Sequence, residues 1–140
     1  MAIYLDNNVG LKIATVDLSV YITSITLTQT FDEVETTSMS SEAHQFSKGL
    51  EASTLQVDFL NDWAASQVCA TLQAAYGTSV TAVIIPVKGV AVSATNPLYT
   101  QSILINNLTP IGTGGPADYA ASSLTFTCTS EVVQTTSGSF

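Results

Sequence analysis

Few side chains in this chain can do acid–base, metal or nucleophilic chemistry. Three lysines, no arginine, one histidine and two cysteines stand against eleven carboxylates in 140 residues. The densest group is acidic: Asp32, Glu33 and Glu35, followed by Glu42, His44 and Lys48. Hard carboxylate oxygens suit Ca2+, but a calcium loop spaces its ligands as D-x-D-x-D-G, which this run does not. A solvated acidic loop is the expectation. His44 has no second histidine or cysteine at ligand spacing, which argues against both zinc and a Cys–His nucleophile pair. The run Gly112–Pro116 lacks a following Lys-Ser/Thr and precedes a strand, so it reads as a flexible hairpin tip and not a phosphate cradle. No G-x-S-x-G elbow is present, and no spacing suggests the facing carboxylates of a hydrolase. The chain is expected to be a non-enzyme with no cofactor and no metal site.

Charge excludes a further class. The formal net charge is −8 and the pI about 4.1. Proteins that grip nucleic acid neutralise phosphates with clustered Lys and Arg, and no such cluster exists here. A hydrophobic fraction of 46% supplies ample core for a single domain spanning 1–140. Only 10% of residues are charged, which favours a surface largely covered by other copies over a monomer with a Ser/Thr coat. The N-terminus shows no secretory pattern, and the longest apolar stretch, around Val83 to Val87, is too short to span a bilayer. Synthesis in a cytoplasm without a membrane anchor is expected. Cys69 and Cys128 fit buried reduced thiols, with a disulfide left open.

The elements that would position any site are mostly strands. Period-2 alternation marks half-buried strands at Ser24–Thr28, Thr54–Phe59 and Ser123–Thr129. Val80–Val87 and Tyr99–Leu108 are apolar on both faces for much of their length, as in strands covered on both sides. Leu11–Val16 and Val20–Ile22 are weaker strand candidates. One helix is expected over about 62–76, capped by Asn61 or Asp62, ended by Gly77 in a left-handed conformation, with Trp63 packed in the core at its start. The segment Phe31–Leu50 reads as an extended loop, and residues about 132–140 as a loose tail or a segment ordered by a neighbour.

Two stretches then carry a resemblance. VDLSVYITSITLTQTFDEVETTSM (Val16 to Met39) combines a D-x-S turn, an alternating strand and an acidic exit. AVSATNPLYTQSILINNLTP (Ala91 to Pro110) opens a strand from an S-A-T-N-P-x-Y-T hairpin, and ASSLTFT forms a terminal strand after the glycine loop. In layout, from about Asp17 to Thr129, the chain resembles the major tail tube proteins of long-tailed, siphovirus-like bacteriophages. The resemblance implies a mainly β, sandwich or split-barrel-like tail tube fold with one flanking helix. It implies a virion protein assembled in the host cytoplasm, whose partners are copies of itself in stacked hexameric rings. Tape measure, tail terminator and distal tail or baseplate proteins are further implied partners, and genomic DNA passes through without specific binding. In that family the loop matching Phe31 to Leu50 reaches a neighbouring subunit or ring. With so few basic residues here, that contact is expected to rely on hydrogen bonds and apolar contact.

A conduit for DNA must not hold phosphates, because every cationic contact adds affinity through counterion release. The polar faces Ser24/Thr26/Thr28, Thr54/Gln56/Asp58 and Thr125/Thr127/Thr129 are the candidate lumen wall. Phe31, Asp32, Glu33, Glu35, Glu42, His44 and Lys48 are the candidate contacts between subunits or rings. The rival readings are another ring-forming tail component, such as a terminator or distal tail protein, a capsid decoration protein, and a ligand-binding β-barrel.

Overall fold

The computed structural model describes residues 8–112, 115–117 and 119–140. Residues 1–7, Thr113 and Gly114 of the expected glycine-rich hairpin tip, and Asp118 lie outside the described residues. The chain is mainly β with one α-helix. Its strands are β1 (Gly10–Ile13), β2 (Val16–Asp17), β3 (Ile22–Thr28), β4 (Phe31–Glu35), β5 (Phe46–Glu51), β6 (Thr54–Leu60), β7 (Ser79–Ile85), β8 (Leu98–Leu104), β9 (Ala121–Cys128) and β10 (Val133–Thr135). The helix α1 spans Val68–Ala75, and a 3-10 turn at Ser19–Tyr21 precedes β3.

The main sheet runs β2-β1-β7-β8-β9-β6-β3 and is antiparallel throughout. Its centre is a joint on β8. Ile103 and Leu104 pair with Cys128 and Thr127 of β9, while Leu98–Thr100 pair with β10 on the same side. Two half-sheets therefore meet over a short overlap and share one core. Leu11, Ile13, Ala82, Ile84 and Ile103 come from the first half, and Leu55, Val57, Phe59, Leu124 and Phe126 from the second. α1 adds Val68, Cys69, Leu72 and Ala75 to the same cluster. Each large side chain so buried contributes about 1.5–3 kcal/mol before entropy is counted. Gln101 is buried among these groups at 2% exposure, and neither atom of its side-chain amide has a hydrogen-bond partner among the described residues.

Loops are fixed by side chains. Asn96, buried at 3%, accepts from the Val87 N–H at 3.0 Å and donates to the Val87 and Val90 carbonyls at 3.1 and 3.2 Å. One amide thus ties both ends of the 87–96 connection.

Three expectations need correction. The helix starts six residues later than the pattern suggested. Asp62 does cap, its carboxylate accepting from the Ala64 N–H at 2.9 Å, but it caps an isolated turn. Ser66 at φ +63° interrupts the chain before Val68. Trp63 lies in that turn and is 52% exposed, so it is not core packing at a helix start. The helix ends at Ala75, and Gly77, two residues on, takes the expected left-handed conformation at φ +83°.

The expected loop at 31–50 is instead a two-stranded hairpin of β4 and β5, off the main sheet. The tail from 132 is also tied down by its own chain. Val132 is 6% exposed, β10 pairs with β8, and Phe140 lies against Gly10 and Lys12 of β1.

Candidate functional site

Three strands bring the polar residues together in register. Ser24 pairs with Asp58 and Asp58 with Ser123; Thr26 pairs with Gln56 and Gln56 with Thr125. Thr28 pairs with Thr54 and Thr54 with Thr127. The result is a three-by-three polar grid on one face of β3, β6 and β9. Alternation forces it: Leu55, Val57, Phe59, Leu124 and Phe126 are buried in the core, so their neighbours in sequence take the opposite face. Thr129 lies past the end of β9, its N–H bonded to the Ser102 carbonyl at 2.8 Å and its hydroxyl 3.4 Å from Ser79 Oγ. It is exposed beside the grid, with no place in the ladder.

The grid is short of charge. Asp58 is its only ionisable member, and the Ser123 hydroxyl donates a hydrogen bond to its carboxylate. None of the three lysines belongs to β3, β6 or β9. Lys88 Nζ is 2.7 Å from Asp17 Oδ2, Lys12 lies 4.4 Å over the Phe140 ring, and Lys48 lies 5.8 Å from the Phe31 ring. Burial opposes ionisation of Asp17, yet hydrogen bonds from Lys88 and from the hydroxyl and N–H of Ser19 outweigh it, holding the carboxyl below its ordinary pKa. Burial pushes the Cys69 and Cys128 thiols up, and both are free and buried. Neither is placed to act as a thiolate.

The second feature is the β4–β5 arm, which gathers all seven residues expected at subunit contacts. Every residue from Phe31 to Ser40 is exposed. Glu33 faces Lys48 across the ladder, and His44 Nδ1 lies 2.9 Å from Glu35 Oε1. Glu42 sits between these strands, near the turn. A bulge in β5 sets Gly49 and Leu50 opposite Asp32, and an added Cβ on Gly49 would stand 2.7 Å from the Asp32 carbonyl oxygen. At the base Thr30 and Ala52 exchange bonds of 2.7 Å, and the Glu51 carboxylate accepts from the Ser53 hydroxyl at 2.6 Å and the Val132 N–H at 3.3 Å.

The arm also exposes apolar surface that the sequence reading passed over. Val34, Met39, Phe46 and Leu50 join Phe31 as exposed large side chains. The available signal was Phe31-x-Glu33-x-Glu35 and Phe46-x-Lys48-x-Leu50, period-2 runs in which neither face is uniformly apolar. A two-stranded ribbon alone in water is marginally stable, and its apolar groups gain by being covered.

Among the described residues no three His, Cys, Asp or Glu side chains converge as metal ligands, and no helix is long and apolar enough to cross a membrane. No protein-family model matches the chain, and no curated protein matches its sequence.

Proposed function

We propose that this chain is a structural subunit that joins copies of itself into rings, stacked as a hollow tube through which DNA passes, in the manner of a phage tail tube. The observation that carries the reading is the polar grid, exposed and cation-free, ending at an unpaired strand edge. Among the described residues β3 pairs with β6 on one side only, and no other described strand lies along Ile22–Thr28. An open edge of seven residues is a template for another chain, and closing a sheet around a ring removes it. Copies joined there would extend the grid into a continuous wall of hydroxyl, amide and sparse carboxylate groups. Such a wall wets without holding phosphate, since it offers no counterion release. The arm supplies the second contact that stacking needs, with exposed apolar side chains between flanking carboxylates.

Negative-stain electron microscopy of the concentrated protein tests the reading. Rings or tubes with a central channel are expected, six subunits to a ring. Single rings that never extend would favour a terminator-like role. Compact monomers at every concentration would remove the proposal.

A further inference from the structure

The β4–β5 arm leaves the sheet beside open space. Two clefts meet at its base, one of about 410 Å³ between residues 48–51 and 128–131, the other of about 290 Å³ between residues 29–31 and 131–132. Lys48, Glu51 and Glu131 line both. The chain passes from sheet to arm at 29–30 and returns at 52–53, where Thr30 and Ala52 bond each other. Two connections side by side make a hinge, and only a third point away from them fixes its angle.

One side chain supplies that point. Glu51, the last residue of β5, accepts from both the Ser53 hydroxyl and the Val132 N–H through a single oxygen, Oε1. Both donors are fixed to the body. Ser53 is 1% exposed and its carbonyl accepts from the Cys128 N–H at 3.0 Å, while Val132 belongs to the core cluster just before β10. Among the described residues no other side-chain hydrogen bond or ion pair joins residues 31–51 to the rest of the chain. A hydrogen bond to an ionised acceptor is shorter and stronger than a neutral one, so the charge on Glu51 matters to the hold. The Ser53 bond above all, aided by the Val132 N–H and the Lys48 ammonium and opposed by partial burial, keeps the carboxyl below its ordinary pKa. Lys48, Glu131 and the Cys128 thiol are the titratable groups that line the clefts beside it.

We infer that Glu51 is the positioning residue of the arm, its ionised carboxylate setting the arm's angle to the sheet through Ser53 and Val132. The consequence for assembly rests on the proposed function: an arm already held at its angle meets a neighbouring copy without paying to be ordered on contact. The test measures the arm in dilute, unassembled protein. Nitroxides on Met39→Cys at the arm's turn and Thr125→Cys on β9 report their separation by pulsed electron resonance, with the parent protein treated alike to register any labelling of the native thiols. A single narrow distance distribution is expected at neutral pH. Glu51→Gln, which keeps the shape and removes the charge, broadens it about twofold or more, and Ser53→Ala broadens it too. Because the folded carboxyl titrates below its ordinary range, the parent distribution stays narrow until pH falls through that lowered value and then widens towards that of Glu51→Gln, which shows no such step. Glu51→Gln also raises the concentration needed for assembly about tenfold. A Glu51→Gln distribution as narrow as the parent's at neutral pH overturns the inference, whatever the variant does to the melting temperature. Broadening in a protein that never forms rings or tubes upholds the role of Glu51 and removes the tube reading alone.

Discussion

Gly10 and Phe140 meet as notch and plug: a Cβ on Gly10 would stand 2.9 Å from Cε1 and Cζ of the Phe140 ring, and 2.8 Å from Ile85 Cγ2. The absence of a side chain in β1 makes room for the ring, and the Lys12 ammonium covers it from 4.4 Å. Gly10→Ala is therefore expected to lower stability by about 1–3 kcal/mol through overpacking. Phe140→Ala should relieve part of that cost, a non-additivity that a thermal-melting double-mutant cycle measures directly. Additive losses would mean that the ring and the notch do not touch.

Gly49→Ala is expected to act on the arm alone. Its Cβ would press on the Asp32 carbonyl, a backbone atom, so the bulge must open. The arm contributes nothing to the core cluster, so the unfolding free energy should stay within the ~0.5 kcal/mol typical of surface changes, while assembly falls. Calorimetry and light scattering on the same sample separate the two effects.

A cation in the grid should make the wall adhesive. Thr26→Lys or Asp58→Lys each places an ammonium on the shared face of β3, β6 and β9. Assembled variants are expected to retain DNA at low salt and release it as salt rises, with a slope near one counterion per lysine per bound phosphate. On the proposed tail-tube function, the expected effect is slower DNA ejection. Co-sedimentation indistinguishable from the parent protein would place this face elsewhere than the channel.

Acid should loosen the clasp between β2 and the segment after β7. Asp17 is held below its ordinary pKa in the folded chain, so the unfolded chain binds more protons through the acid range and stability rises with pH there. The contribution is complete above the ordinary aspartate value of about 3.9 and disappears as pH falls through the lower folded value. A melting series from neutral pH downward should show this loss, and Asp17→Asn should flatten it.

Gln101→Met is expected to stabilise. The side chain is buried and, among the described residues, neither amide atom has a partner, a state that costs about 1–3 kcal/mol relative to a satisfied or apolar group. A higher denaturation midpoint with an unchanged slope would bear this out. A lower one would mean that the amide is satisfied in solution.

The strands that bury one face were legible because burial imprints a period on the sequence. Leu55, Val57 and Phe59 alternate with Thr54, Gln56 and Asp58, and the same holds for β9, so the polar grid could be read before its register was known. β4 and β5 left no such imprint. Their residues are almost all exposed on both sides, and the ladder between them is held by backbone bonds that any sequence can make. The helix start was misplaced because Asp62 is a genuine cap whose turn is broken by Ser66 two residues after Ala64. The docked C-terminal segment was hidden for another reason. Phe140 finds its place through Gly10 and Lys12, at the far end of the chain, and a Ser/Gly-rich local composition carries no trace of that.

The shared edge of β8 bears on synthesis. Leu11 waits for Ile84, Leu55 waits for Phe126, and Leu98 waits for Thr135, so no half-sheet is complete until nearly the whole chain has left the ribosome. Such non-local pairing places folding at the slow end of the range for single domains. In that interval, unpaired strands of neighbouring nascent chains compete for the same partners. Yield in the cell should therefore depend on synthesis rate and temperature more steeply than the stability of the finished molecule would suggest.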